Sequence, residues 1–301
     1  HRSRPRAARR PVTAPAAATC ALLLAAATAR AQDMPAEYRR VLDALGRTGD
    51  FKDNVLKVNI PRSDLRVSVA GVATPTAFGF GGWVAITPGE GMHVLMGDLV
   101  LTEDEVNPVM SALLQPGLEV TALHNHFFHD SPRMFYMHVH GHGAPAALAD
   151  RLKPALALIG GKTRAAPGAG ASIEGALTAS RLSEIVGHPG EQSGAVYKIT
   201  IGRPDLNVRE MGASINARMG LNTWAAFYGR DDDAVVAGDV AMTEDEVTPV
   251  LKALRGAGLD VVAIHHHMTN TDPVVIFLHY WGRGPDARLA RGVRAALAAQ
   301  R

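Results

Sequence analysis

An offset of 141 residues turns the first half of this chain into the second, and that internal repeat limits the possible folds more than any other feature. Val55-Leu-Lys57-Val-Asn-Ile60-Pro-Arg62-Ser-Asp64-Leu65 aligns with Val196-Tyr-Lys198-Ile-Thr-Ile201-Gly-Arg203-Pro-Asp205-Leu206, and Trp83 aligns with Trp224. Gly97-Asp98 matches Gly238-Asp239, Thr102-Glu-Asp-Glu-Val106 matches Thr243-Glu-Asp-Glu-Val247, and Pro108 matches Pro249. One module is therefore used twice, over 35–160 and 178–301, with the Ala-, Gly- and Pro-rich stretch 161–177 as linker. Two similar copies are expected to pack about a pseudo-twofold axis or side by side as equivalent lobes.

Local patterns place the elements of the module. Ala36–Leu45 reads as a short helix with Gly46 as its stop. β-branched and apolar runs predict strands at 55–60, 65–72, 83–86 and 94–101. Thr102-x-x-Glu105 fits a capping box ahead of Val106, Val109, Met110, Leu113 and Leu114, so a helix follows and closes at Pro116-Gly117. Strands at 118–128 and 134–140, joined by a turn at Asp130-Ser-Pro132, and a helix at 146–158 complete it. The expected class is α+β, each module a mostly antiparallel sheet flanked by about three helices.

The N-terminus is read apart from this core. Arg4, Arg6, Arg9 and Arg10 precede an apolar run from Ala18 to Ala27, and Ala29-Arg30-Ala31 supplies the small residues of a cleavage site. Residues 1–31 are expected to be a signal peptide cut after Ala31, giving a periplasmic or secreted protein with no transmembrane segment in the mature chain. Cleavage would remove six arginines and no acids, taking the formal charge from +2 to −4. That balance argues against a nucleic-acid partner, and the expected partner is a small molecule or a component of the envelope. The single cysteine, Cys20, precedes most of the apolar run, so the mature chain has neither thiol nor disulfide. No phosphate loop, Gly-x-Ser-x-Gly elbow or His-Glu-x-x-His helix is present.

Chemistry is concentrated in histidine. Six of thirteen lie between His124 and His142, and a second version runs from His265 to His279. Side chains alternate along a strand, so His124 and His126 share a face, as do His138 and His140. A hairpin centred on Ser131 would set His124 opposite His138, and one centred on Asp272 would set His265 opposite His279. His124, His126 and His138, with His265, His267 and His279 as their copy, are the expected ligands of a divalent metal. Zinc comes first, with iron or copper as alternatives, copper because Met134, Met137 and Met268 lie nearby. The structural alternative is a set of hydrogen-bonded core histidines.

His129, His140, His142 and His93 become Asn270, Trp281, Arg283 and Ala234 in the second copy, so one working site in the first repeat and one degenerate copy are expected, or a single site shared across the interface. His140 and Asp130 are the candidates for proton transfer, and Asp130 and Asp272 for carboxylates supporting the metal. Asp98 and Asp239 are further acidic candidates, and Glu103 to Glu105 are ascribed to helix capping. Lys57, Arg62 and Asp64, with their copies Lys198, Arg203 and Asp205, suggest a buried ion pair ahead of an anion site.

The repeated Lys-x-x-Ile-x-Arg-x-x-Leu, the repeated Gly-Asp-x-x-x-Thr-Glu-Asp-Glu-Val and the His-x-His hairpin together resemble the LppY/LpqO family, exported bacterial proteins carrying a duplicated domain of unknown function. The resemblance covers nearly all the mature chain. It implies an exported location and a duplicated module, with no established reaction. The sequence thus points to an exported metal-binding protein, enzymatic or not. The competing reading is a non-catalytic envelope binding module that uses Trp83, Trp224 and Trp281 as contact surface.

Overall fold

The computed structural model describes residues 33–160 and 170–300; the signal peptide expected over 1–31 lies outside the described residues. The first repeat runs α1 (Ala36–Leu45), β1 (Asp50–Lys52), β2 (Val55–Pro61), β3 (Val67–Val69), β4 (Val72–Thr74), β5 (Gly81–Pro88), β6 (His93–Thr102), α2 (Glu103–Leu114), β7 (Glu119–His124), β8 (Asp130–Ser131), β9 (Met134–Gly143) and α3 (Pro145–Leu156). The second gives α4 (Ala179–Val186), β10 (Gly190–Ser193), β11 (Val196–Gly202), β12 (Arg209–Glu210), β13 (Ala213–Ser214), β14 (Asn222–Arg230), β15 (Asp233–Met242), α5 (Val247–Gly256), β16 (Asp260–His265), β17 (Ile276–Gly284) and α6 (Asp286–Ala298).

Each repeat forms one antiparallel six-stranded sheet, in the orders β1-β2-β5-β6-β9-β7 and β10-β11-β14-β15-β17-β16. The α+β class and the duplication hold. Strand alternation then divides every buried strand between two cores. Leu56, Val58, Val84, Ile86, Leu95, Leu99, Met137 and Val139 pack on α1, α2 and α3, and the equivalent positions of the second sheet pack on α4, α5 and α6. The opposite faces of the two sheets meet each other. The layers run helices, sheet, sheet, helices.

Two apolar clusters seal that meeting, and each draws on both repeats. Val67, Val69, Val72, Phe78 and Phe80 lie on Val196, Ala226, Val235 and Ala237 of the second sheet, and Val208, Ala213, Ile215, Met219 and Leu221 lie on Val55, Ala85, Val94 and Met96 of the first. Each repeat thus sends an arm across onto its neighbour. The strand expected at 65–72 is this arm: Ala70 and Gly71 take positive φ, at 48° and 79°, and split it into β3 and β4, which pair outside the main sheet.

The conserved helix start also does more than cap. Glu105 accepts the Thr102 backbone N–H at 2.9 Å and also pairs with Arg62 at 2.6 Å, while Arg62 donates to Asp64 and to the Val100 carbonyl. Arg203, Asp205, Glu246 and the Ala241 carbonyl repeat the arrangement. The expected ion pair is thus a clamp that ties the end of β2 to the start of α2; ascribing Glu105 to capping alone was incomplete. Lys57 is not part of it and sits over the Trp83 ring, as Lys198 does over Trp224.

Candidate metal centre

The strands that face each other across the interface carry polar groups at their centres. On β6 and β9 the inward positions include Asp98 and His138, which are cross-strand partners; Asp239 and His279 pair likewise on β15 and β17. β7 and β16 end at His124 and His265, and the chain then turns inward to place His126 and His267. The hairpin register differs from expectation by two residues. His124 faces Tyr136 and His138 faces Ala122, so the hairpin is centred on Asp130, one residue before Ser131; His265 likewise faces Phe277 and His279 faces Ala263. A shift of two keeps every side chain on its face, so the histidines still converge.

They converge with those of the other repeat. His124 and His265 stack with ring centroids 3.7 Å apart, and the pseudo-twofold axis passes between them. The related pairs flank this contact: His126 with His279 at 3.6 Å, and His138 with His267 at 4.0 Å. Outside them His126 stacks on Tyr136 at 3.2 Å, and His267 on Phe277 at 3.4 Å. Thr121 Oγ1 donates to the His267 carbonyl at 2.6 Å and ties the hairpins together. There is one composite cluster, with neither site confined to the first repeat.

Three overlapping donor sets lie in it, each with ligand atoms within 4.8 Å of one another: Asp239 with His265, His267 and His279; His124 with His126 and His279; His124 with His138 and His265. The one four-donor set among the described residues lies wholly in the second repeat, which gives no support to a degenerate second copy. His279 Nδ1 lies 3.2 Å from the Gly238 carbonyl, which can only accept, so Nδ1 carries the proton and Nε2 presents its lone pair. That Nε2 is 3.2 Å from His124 Nε2. Ligands at 2.0–2.1 Å on a tetrahedral ion are separated by about 3.3 Å. Asp239 Oδ2 lies 3.3 Å from His267 Nε2 and 3.9 Å from His279 Nε2; on the other side Asp98 Oδ1 lies 4.0 Å from His138 Nε2. The second half is the tighter.

Electrostatics fit the same reading. Nε2 of His138 and His265, both ring nitrogens of His126 and His267, and Asp98 Oδ1 are buried with no hydrogen-bond partner. Each such group costs about 1–3 kcal/mol when nothing satisfies it. Burial, aided by neighbouring imidazoles, lowers the basicity of His124, His126, His138 and His279, and burial lowers His265 and His267. The rings are held neutral, as metal ligands must be. Burial and the facing Asp239 push Asp98 up to about 8, burial raises Asp239 to about 7, and burial lowers Lys57 and Lys198 to about 8.

Asp98 and Asp239 are the carboxylates of the cluster, and the choice of Asp130 and Asp272 is corrected. Asp130 Oδ2 accepts the Met134 N–H at 2.8 Å and closes the hairpin, and the Asp272 carbonyl accepts from Arg209. The usable signal was an acid inside the apolar run Val94–Leu101, repeated at 239. Its preceding glycine is also explained: a Cβ on Gly238 would collide with the Trp224 carbonyl and the Tyr280 hydroxyl, so only glycine lets the strand approach. His140, expected beside the metal, instead groups with Glu119 and His142 and lies 2.5 Å from Glu210. His129 and His266 are exposed. Met134, Met137 and Met268 lie in apolar clusters.

A family model described as Domain of Unknown Function (DUF1259) matches residues 39–158 and again 180–299. The chain belongs to the DUF1259 family. Its two matched segments carry the two halves of the histidine cluster. No curated protein matches the chain in sequence. Among solved structures, this DUF1259 chain is similar to the trimeric bacterial microcompartment shell protein PduB, at 12% identity over 84% of this chain and 90% of that one, with a TM-score of 0.22. EtuB from Clostridium kluyveri is similar at 9% identity over 84% and 89%, with a TM-score of 0.20. Likeness at that level carries no argument about fold or role. Among the described residues no helix is long and apolar enough to cross a membrane.

Proposed function

We propose that this chain is an exported protein whose two DUF1259 repeats bind a divalent metal between them. The observation that carries the reading is the 3.2 Å approach of two imidazole Nε2 atoms, His124 and His279, from different repeats, inside a cluster of buried, unpartnered ring nitrogens. Three or four donors drawn from His124, His126, His138, His265, His267 and His279 would hold the ion, with Asp239 as the carboxylate among them and Asp98 close by. Imidazole and carboxylate donors without a thioether suit zinc first and iron second, and weaken the case for copper. When bound, such an ion supplies Lewis acidity to a coordinated oxygen ligand.

The likeness to the LppY/LpqO family and the residues 1–31 support export. Against the use of the tryptophans as a contact surface, Trp83 and Trp224 lie at the interface under Lys57 and Lys198, and Trp281 packs on an apolar cluster. Elemental analysis of untagged protein tests the metal: near-stoichiometric zinc or iron in the wild type, lost in His124→Ala/His265→Ala, is expected. Less than about a tenth of an equivalent in the wild type would sink it. N-terminal sequencing of the protein from the periplasm or medium should begin at Gln32; an uncleaved chain in the cytoplasm would overturn export.

A further inference from the structure

The pseudo-twofold symmetry fails at one rim of the interface. On β9, His140 is the next inward residue after His138, and roughly 7 Å of strand separates such positions. His140, His142 and Glu119 place their ligand atoms within 4.8 Å of one another. Glu119 Oε2 lies 3.5 Å from His140 Nδ1, while Glu210, from β12 of the other repeat, lies 2.5 Å from His140 Nε2. At the symmetry-related rim the counterparts are Asp260, Trp281, Arg283 and Val69. Trp281 there packs against the cluster containing Val69, and Arg283 pairs with Asp233. Packing alone is satisfied by the apolar version, so the histidine-carboxylate version calls for a reason of its own.

Two observations point to a ligand. Glu210 is 5% exposed; its Oε1 pairs with His140, while its Oε2 has no hydrogen-bond partner. His142 Nδ1 is buried and unpartnered as well. Burial lowers His140, but Glu210 at Nε2 and Glu119 at Nδ1 together raise it above the ordinary imidazole range, so a cation at Nδ1 would displace a proton there while Glu210 keeps the one on Nε2. A carboxylate that holds the far nitrogen of a ligating imidazole is the usual support of a metal-bound histidine.

We infer that Glu119, His140 and His142 form a second divalent-cation site at this rim, with Glu210 as the residue that orients His140. Two imidazoles and one carboxylate suit zinc or iron(II), and Glu119, half exposed, leaves the ion open to solvent ligands. The site is independent of the interface centre.

The test is titration of metal-stripped, untagged full-length protein with Co2+, followed by calorimetry and visible absorption. Glu119→Gln/His142→Ala should bind one equivalent fewer than wild type and keep the interface equivalent. His124→Ala/His265→Ala should show the reverse loss, so failure at one site is distinguishable from failure at the other. Glu210→Gln should weaken the rim equivalent about 10- to 100-fold with unchanged stoichiometry. Equal stoichiometry and affinities in wild type and Glu119→Gln/His142→Ala, or in Glu119→Gln alone should the double variant misfold, would overturn the site. An unchanged affinity in Glu210→Gln would overturn the role given to Glu210.

Discussion

The two faces of each sheet are chemically opposite. Val84, Leu95, Leu99 and Val139 fill the helix side, and one residue along the same strands Trp83, Asp98, His138 and His140 fill the interface side. Apolar burial contributes roughly 25 cal/mol per Å2 on the helix side. On the interface side, unpartnered ring nitrogens and a carboxyl cost free energy. One face supplies stability, and the other spends part of it to hold groups ready for an ion. Period-two alternation is what permits both in one strand.

Acid should produce the largest effect on this contrast. Each of the six interface imidazoles binds a proton more readily in the unfolded chain, so the metal-free protein keeps its stability above about pH 6.5 and loses it as pH falls, by up to about 1.4 kcal/mol per pH unit for each ring. Asp98 and Asp239 act oppositely: raised to about 8 and about 7, they contribute stability that is full below about pH 4 and lost by pH 8. Six rings outweigh two carboxyls, so the thermal midpoint of the stripped protein should drop steeply from pH 7 to pH 5. A flat midpoint over that range would contradict the account.

Next comes Val139→Asp, which puts an unpaired carboxyl on the helix face and should cost more than about 4 kcal/mol in denaturant unfolding. Leu278→Ala, also on that face, should cost about 2–5 kcal/mol and leave metal stoichiometry intact. His124→Ala/His265→Ala should invert that result, weakening metal binding at least about 100-fold, or about 2.7 kcal/mol, with little change in the metal-free midpoint. Asp98→Asn should act in the opposite direction. With its carboxyl raised to about 8, keeping it protonated at pH 7 costs the metal-free fold up to about 4 kcal/mol relative to a side chain that cannot ionise, so the variant should be more stable in denaturant unfolding. A loss of stability would mean that Asp98 is ionised and paired, and that the interface face is more stabilising than described.

Much of this was legible in the residues. The repeat, the capping-box helices and the face shared by His124, His126 and His138 all rest on local periodicity, which a sequence displays directly. The hairpin register is not legible because nothing in the composition marks the centre of the turn, yet an even shift leaves the faces unchanged. The strand expected at 65–72 belongs to the arm and not to the main sheet, since a β-branched run does not say which sheet it will lie on. Asp98 was passed over in favour of Asp130 because turn position looked more accessible than a strand centre. Only the second repeat, folded over the first, makes that strand centre a site. Glu210 could not be joined to His140 from spacing, since the two come from different repeats.

The crossed arms carry a further consequence for autonomy. A single repeat would bare its polar inner face and lose the imidazoles that its neighbour packs against it, so it would need a second copy to cover that face. Joining two copies in one chain replaces that encounter with an intramolecular one, whose effective concentration is set by the linker and not by expression level. It also frees the copies from being identical. One rim can keep histidine and glutamate while the other turns to tryptophan and valine, a division of labour that a symmetric pair of separate chains cannot adopt.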